Sequence, residues 1–161
     1  MSRRNPLLKI MESELPDFSH CKMGYQPTLK EAKYYYKLIN RHIFDNQLTP
    51  TKIRIFRMRD CWGYCSDMNS NSSEPISEIH LTRKFPCLQF FIAVLAHEMV
   101  HQYQWEIETP IRRRKGLRST WGHGASFFRW TRKFKRAGIP LSRYGNHHKL
   151  VEHRNIWAMG R

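Results

Sequence analysis

Two imidazoles and one carboxylate in the segment His97-Glu-Met-Val-His101 have a spacing that can serve a single metal ion. Residues four apart project from the same face of a helix, so His97 and His101 can bind one ion together. Zinc suits this pair because it accepts neutral nitrogen ligands, and a catalytic zinc site adds a third protein ligand and a water molecule. Glu98 would lie beside that water as general base. The segment therefore predicts one Zn²⁺ ion with Glu98 as catalytic residue.

The third ligand must come from another part of the chain. A glycine three residues after His101 and a histidine three further on would complete one known arrangement, but Gln104 and Ile107 occupy these positions and exclude it. The acidic residues after His101 are Glu106, Glu108 and Glu152. Glu108 shares the helical face of His101, but it would lie about 10 Å along the axis, too far for the same ion.

His123 is the favoured third ligand among the remaining residues. It lies between Gly122 and Gly124, and flanking glycines allow two backbones to approach closely and the ring to turn towards a neighbouring helix. The other downstream candidates are His147, His148, Glu152 and His153. Of these, the adjacent His147 and His148 are better interpreted as exposed polar residues or phosphate contacts.

A long apolar helix is predicted to position the motif. Pro86 marks its start, and apolar residues recur at helical spacing through to about Trp105. The stripe consists of Leu88, Phe91, Ile92, Leu95 and Met99. An earlier helix, from Leu29 to Phe44, follows the capping box Thr28-Leu-Lys-Glu31.

Three short strands are predicted between these helices. After Pro50, Ile53 and Ile55 alternate with polar residues, but Phe56 and Met58 fall on the opposite phase, which indicates either a bulge or a strand buried on both faces. The second and third strands are predicted at Trp62–Cys65 and Ile76–Leu81.

The remaining segments complete a three-part organisation. Residues 109–120 are predicted as a loop, and apolar residues from Phe127 to Ala137 define a last helix, which ends at Gly138. We divide the chain into an N-terminal arm without regular elements (1–27), a core (28–140) and a basic C-terminal tail (141–161).

The net charge of +15 is concentrated in the last third of the chain. Residues 1–108 contain 14 Lys and Arg against 12 acids, whereas residues 109–161 contain 14 against Glu152 alone. A field of one sign at this density favours an anionic partner such as nucleic acid. No apolar run is long enough to cross a bilayer and no signal peptide is recognisable, so we expect an intracellular protein without a membrane partner.

The four cysteines do not form the two C-x-x-C pairs of a zinc ribbon. Cys61 and Cys65 have the spacing of half a site, but without a partner pair they are better interpreted as reduced, partly buried thiols. The chain length is that of one domain that can bury its own core, and we expect a monomer.

Several segments in order resemble the SprT-like metalloproteases, a family that includes proteases of DNA–protein crosslinks. They are Ile43-Phe-Asp-Asn-Gln-Leu48, Trp62-Gly-Tyr-Cys65, Ile76–Leu81, His97-Glu-Met-Val-His101-Gln-Tyr-Gln104 and Gly122-His-Gly-Ala-Ser-Phe127. The resemblance implies an α+β, minimal zincin-like domain, with a small antiparallel three-stranded sheet packed on the HExxH helix and flanked by other helices. It also implies that His97, His101 and His123 bind zinc, that Glu98 is catalytic, and that DNA stimulates proteolysis, as in DNA repair.

Basic residues surround His123 in sequence and are candidates for phosphate contacts without base specificity. They are Arg112, Arg113, Arg114, Lys115, Arg118, Arg132, Lys133 and Arg136. Aromatic residues could add stacking on unpaired bases, although core packing is the better interpretation for each. Those considered are Trp62, Tyr64, Trp121 and Trp130.

The leading hypothesis is a zinc endopeptidase that acts on DNA-associated proteins, with single-stranded DNA as a candidate form of the partner. The enzyme would bind the substrate main chain along an exposed edge strand at Ile76–Leu81. One alternative is a nucleic-acid-binding module in which zinc is structural and turnover is absent. Another is a metallopeptidase that has no link to DNA and whose basic surface selects acidic substrates.

Overall fold

The computed structural model describes residues 5–13, 24–68 and 76–143. Within these residues a three-stranded sheet packs on one long helix, and shorter helices surround this pair. The architecture is α+β and compatible with a minimal zincin-like domain, as predicted. No helix in these three ranges is both long and apolar enough to cross a membrane.

The first long helix forms where the capping box predicts it. Helix α2 spans Leu29–Ile43. The Thr28 hydroxyl accepts a hydrogen bond from the Glu31 backbone N–H at 3.1 Å, and the Glu31 carboxylate accepts one from the Thr28 N–H at 2.7 Å. These two bonds satisfy N–H groups that have no partner within the helix. Tyr36, Ile39 and Ile43 face the core.

The sheet is mixed rather than antiparallel throughout. Its strands are β1 (Lys52–Phe56), β2 (Gly63–Asp67) and β3 (Ser77–Thr82), in the order β1-β3-β2. Strand β3 is antiparallel to β2 but parallel to β1. All six residues of β3 are buried, so this strand takes the central position and separates the two strands that precede it. Alternation of apolar residues identifies strands but does not encode their direction or order.

Strand β1 contains no bulge and is not buried on both faces, so both interpretations of the phase of Phe56 are wrong. Its register with β3 runs unbroken from Lys52↔Glu78 to Phe56↔Thr82. Ile53 and Ile55 face the core, whereas Phe56 lies on the outer face of the sheet and is 39% exposed. Met58 lies beyond the end of the strand.

The helix that carries the motif is longer than predicted. Helix α3 spans Leu88–Tyr103, continues through a π-helical turn at Gln104–Glu108 and becomes α4 at Thr109–Arg114. Residues 109–114 are therefore helical, and the prediction of a loop across 109–120 is wrong there. A proline clashes with the carbonyl four residues before it in a regular α-helix. The wider π turn directly before Pro110 accommodates the ring, so the chain stays helical.

The predicted last helix is divided into two short ones. These are α5 (Ala125–Phe128) and α6 (Thr131–Arg136), and Gly138 with a φ of +71° follows the second. Phe127 and Phe134 are fully buried, as their helical spacing predicts.

The N-terminal arm contains a helix that the sequence analysis missed. Helix α1 spans Pro6–Met11, with Asn5 as N-cap and Pro6 at the first helical position. Leu7 and Met11 are buried in the core. A helix of one and a half turns is too short to show a helical repeat of apolar residues. The N-cap residue Asn5 and the proline after it are the features of the sequence that indicate its start. Most of the predicted basic tail, from residue 144 onward, lies outside the described residues.

Candidate metal centre

Three histidines from two separate segments converge at one point. Helix α3 places His97 and His101 one turn apart with their Nε2 atoms 3.2 Å from each other. His123, two residues before α5, brings its Nε2 within 3.0 Å of the His97 Nε2 and 3.2 Å of the His101 Nε2. In residues 5–13, 24–68 and 76–143, these three form the only group of His, Cys, Asp or Glu side chains that could hold a metal ion.

The triangle of nitrogen atoms fits one small cation. Ligand nitrogens on a tetrahedral zinc ion, each about 2.0–2.1 Å from the metal, lie about 3.3 Å apart. The three observed separations of 3.0–3.2 Å are close to this value. Three imidazoles cannot all satisfy one another through the same nitrogen atoms, because each neutral ring has a single N–H. The arrangement could hold a shared metal ion.

Gln104 fixes the orientation of this centre, a role that the sequence analysis did not assign. Its Oε1 lies 2.8 Å from the Nδ1 of His101, and its Nε2 donates to the Gly122 carbonyl at 3.0 Å and to the Ser126 Oγ at 2.7 Å. Because the amide nitrogen faces a carbonyl, the amide oxygen faces His101, and the His101 proton lies on Nδ1. The Nε2 lone pair of His101 is thereby directed at the centre.

The side chain of Phe127 forms the apolar floor of the site. Its ring centroid lies 4.8 Å from that of His97, 5.0 Å from that of His101 and 4.7 Å from that of His123. The ring is fully buried. Contact with all three imidazoles restricts their rotation before any ion binds.

The two glycines beside His123 have different roles from those expected. Gly122 has a φ of +80°, which favours glycine, but a Cβ at Gly122 or at Gly124 would meet no atom within 4 Å. The expected close approach of two backbones is therefore absent. Gly122 instead turns the chain so that its carbonyl reaches Gln104.

Burial keeps the imidazoles of His101 and His123 in the neutral form that binds metals. Desolvation lowers the pKa of His101 to about 4, opposed by its hydrogen bond with Gln104. Desolvation also lowers the pKa of His123, with a further contribution from the nearby positive charge of Arg143. Both rings therefore present lone pairs at neutral pH without first losing a proton.

Glu98 follows His97 on α3 and is 4% exposed. Burial raises the pKa of its carboxyl to about 8, while a hydrogen bond from the Cys65 backbone N–H opposes this shift. A neighbouring cation would favour the charged form. Glu98 is therefore a proton acceptor with a pKa near neutral pH.

The edge strand beside Glu98 is β2, and the prediction of an exposed edge at Ile76–Leu81 is wrong. Those residues belong to the central strand β3. Trp62 O accepts from Thr82 N, and Met68 N donates to Ile76 O. In this antiparallel register the N–H and C=O groups of Gly63, Cys65 and Asp67 point away from β3.

The two downstream glutamates that are described have other partners. Glu106 accepts hydrogen bonds from the N–H and hydroxyl of Ser77 at 3.2 and 2.7 Å, and Glu108 lies 3.9 Å from Arg129. Neither belongs to the histidine cluster. The remaining candidates lie outside the described residues: His147, His148, Glu152 and His153.

The predicted phosphate contacts are dispersed over α4, the loop after it and α6. Arg112 donates to the Arg118 carbonyl at 2.7 Å, and Lys133 forms an ion pair with Asp45. The other side chains of the set are exposed: Arg113, Arg114, Lys115, Arg118, Arg132 and Arg136. Trp62 and Trp130 are core residues, as the packing interpretation predicted, whereas Tyr64 and Trp121 are 42% and 73% exposed.

Comparison with known proteins identifies the family of this chain. The sequence profile of the SprT-like family matches residues 32–147, most of the chain. This family consists of metalloprotease-like domains that are typically metal-dependent, in agreement with the histidine cluster. Neither curated proteins nor solved structures gave a match.

Proposed function

Because the chain belongs to the SprT-like family, we propose that it is a zinc-dependent endopeptidase that cleaves proteins associated with DNA. The observation that supports this most directly is the triangle of Nε2 atoms of His97, His101 and His123, next to the buried carboxyl of Glu98, which accepts from the Cys65 N–H of the edge strand. A structural zinc site has four protein ligands and no need of a base. The three histidines and Glu98 correspond instead to an open, catalytic arrangement.

Each residue of the centre has a separate task. His97, His101 and His123 hold the zinc ion, which when bound supplies Lewis acidity towards the scissile carbonyl. The Glu98 carboxylate takes a proton from the attacking water and later passes it to the leaving amine. Gln104 and Phe127 keep the imidazoles in place.

The outer edge of strand β2 has backbone groups with which a substrate main chain could pair. The Cys65 N–H is taken by Glu98, but the carbonyl groups of Gly63 and Cys65 point outward from the same edge. A substrate polypeptide added beside β2 would pair mainly through its backbone. Such pairing selects extended chain rather than particular side chains, which suits an enzyme with varied protein targets.

The proposed association with DNA rests on charge. Exposed cations on α4 and the following loop lie in the chain segment that leads to His123. Contacts with phosphate groups carry little sequence information, so the protein would act wherever a protein is attached to DNA. An intracellular monomer completes the proposal, and the thiols of Cys61 and Cys65 are free, in keeping with a reducing compartment.

Replacement of Glu98 by Gln tests the catalytic assignment. The variant keeps the size of the side chain but cannot take the proton, so we expect cleavage of a DNA-bound protein to fall about 10²- to 10⁴-fold. Zinc content, measured by mass spectrometry of the purified protein, should stay at one ion per chain. Glu31→Gln is a matched control, because glutamine preserves the capping box of α2 and Glu31 is not part of the histidine cluster.

Unchanged cleavage by Glu98→Gln at full zinc occupancy would refute the catalytic role of Glu98. The same assay with and without DNA separates the two parts of the proposal. Equal cleavage rates with and without DNA would be consistent with the peptidase assignment and would refute the association with DNA.

A further inference from the structure

A basic cavity lies at the end of the sheet, and none of the predicted phosphate contacts lines it. It has a volume of about 560 Å³ and opens where β1 and β3 end. Its cationic lining residues are Arg57, Arg59, Arg83 and Lys84. Thr82, the last residue of β3, and the buried ring of Trp62 form part of its wall.

The positive charges of this cavity are not neutralised within the described part of the chain. Lys52 and Arg54, on the same sheet, lie 3.5 and 3.0 Å from the Glu78 carboxylate. No described carboxylate forms an ion pair with any of the four cavity cations, all of which are exposed. Asp60, in the same loop, does not line the cavity. Four cations around one concave surface favour an anionic ligand.

Two exposed aromatic rings extend from the cavity across the outer face of the sheet. Phe56 precedes Arg57 and is paired in register with Thr82, and both Arg57 and Thr82 line the cavity. The Phe56 ring lies 5.8 Å from that of His80, and the Tyr64 ring stacks on the other side of His80 at 4.4 Å. Phe56 and Tyr64 are 39% and 42% exposed. Exposed rings beside cations are the combination that binds unpaired bases together with their phosphates.

The cavity adjoins the start of the edge strand whose Cys65 N–H donates to Glu98. Cys61 lines it, and the charge of Glu98 contributes, after burial, to the raised pKa of the Cys61 thiol. Cys61 is followed after one residue by Gly63, where the edge strand β2 begins. A ligand in the cavity would therefore lie next to the strand on which we propose that the substrate binds.

We propose that this cavity binds phosphate groups of a single-stranded nucleic acid whose bases stack on Phe56 and Tyr64. The inference deepens the DNA association in the proposed function, and it does not depend on peptidase activity. An acidic polypeptide would pair with the cations, but its carboxylates would not stack on the exposed rings. Bases within a duplex already stack on one another, so the rings favour a single strand.

The test measures binding of a fluorescent 20-nucleotide single strand at several salt concentrations. Arg57, Arg59, Arg83 and Lys84 are replaced together by Gln. We expect affinity near 0.15 M salt to fall at least about 10-fold, and the slope of log K against log salt to decrease by about 2 to 3, since each phosphate contact on a single strand contributes about 0.7. The matched control removes four exposed charges from α2: Lys30, Lys33, Lys37 and Arg41 to Gln. Its affinity should change less than about 3-fold.

A second variant, Phe56→Leu with Tyr64→Leu, tests the stacking. It keeps apolar volume but removes the aromatic faces, so we expect binding to weaken by about 5-fold or more without a change in the salt slope. Melting temperatures of all variants verify that they are folded. An RNA strand of the same sequence shows which nucleic acid binds more tightly, and a loss of affinity for either strand in the four-residue variant supports the cavity.

The outcomes separate the two proposals. If the wild-type protein binds no oligonucleotide, the DNA association and the cavity assignment both fail. If the wild type binds and the four-residue variant equals the α2 control, only the cavity assignment fails. A polyglutamate peptide that binds the wild type as tightly as the single strand, and loses affinity in the four-residue variant, would overturn the nucleic-acid assignment in favour of an acidic protein.

Discussion

Each imidazole of the centre is useful only while its ring is held in one orientation, and for His101 this depends on Gln104. The Gln104 amide contacts the His101 Nδ1, the Gly122 carbonyl and the Ser126 hydroxyl, so it joins the helix that carries two histidines to the segment that carries the third. Partners of this kind set the tautomer of a metal-binding histidine and raise its basicity. Gln104 is thus a positioning residue, because it acts through His101.

We expect Gln104→Met to weaken zinc binding by about 10- to 100-fold, since methionine fills a similar volume but makes none of these hydrogen bonds. Competition with a chromophoric chelator measures the affinity. Gln102→Met is the matched control, because Gln102 is equally buried on the same helix but bonds to Tyr36, Thr49 and Glu106. It should lower the melting temperature and leave zinc affinity within about 3-fold. Equal affinities of wild type and Gln104→Met would show that the amide does not position His101.

At the scale of elements, the close packing of β2 on α3 brings the Cys65 N–H to Glu98. Gly63 makes this approach possible: a Cβ there would lie 2.9 Å from the His80 carbonyl oxygen and 3.2 Å from a methyl group of Val94. The first atom belongs to the backbone of β3 and cannot move without disturbing the sheet. The glycine at the start of β2 therefore sets the distance between the edge strand and the helix.

Gly63→Ala should destabilise the protein by about 1–3 kcal/mol, as overpacking of a core commonly does. Urea unfolding measures the change. A Leu81 methyl group at 3.1 Å is a third obstacle, and Val94→Ala removes one of the three, so the double variant should be more stable than the sum of the single changes indicates. A Gly63→Ala variant as stable as the wild type would show that β2 and α3 can separate at little cost.

At the scale of the whole molecule, the metal would join parts of the chain that are distant in sequence. His101 and His123 are 22 residues apart and belong to different elements. An ion that binds all three histidines in the folded state but not in the unfolded chain stabilises the fold through its binding free energy.

Removal of zinc should therefore lower the melting temperature. Free zinc at 100 times the dissociation constant contributes about 2.7 kcal/mol, which corresponds to about 5 to 10 °C in a protein of this size. Calorimetry with zinc and with a chelator measures the difference. In His123→Ala the difference should nearly disappear. A wild-type melting temperature that is independent of zinc would contradict the metal site.

The sequence by itself determined the features that depend on local spacing. The capping box at Thr28–Glu31 specified the start of α2, and the interval of four residues placed His97 and His101 on one face of α3. Helical geometry fixes the directions of nearby side chains, so such features follow from a few consecutive residues. For His123 the sequence supplied a favoured candidate, and the fold brings it to the other two histidines.

Only the tertiary structure decided the features that depend on how distant apolar surfaces are buried together. Strand β3 lies at the centre and β2 at the edge because β3 has both faces covered, a condition that alternation within one strand cannot express. The contacts of Gln104 and the basic cavity at Arg57 and Arg83 likewise join residues that no spacing rule relates. The first 108 residues are nearly neutral as a whole. Charge counted along the chain therefore could not reveal a concave surface where basic side chains lie together without ion pairs to the described carboxylates.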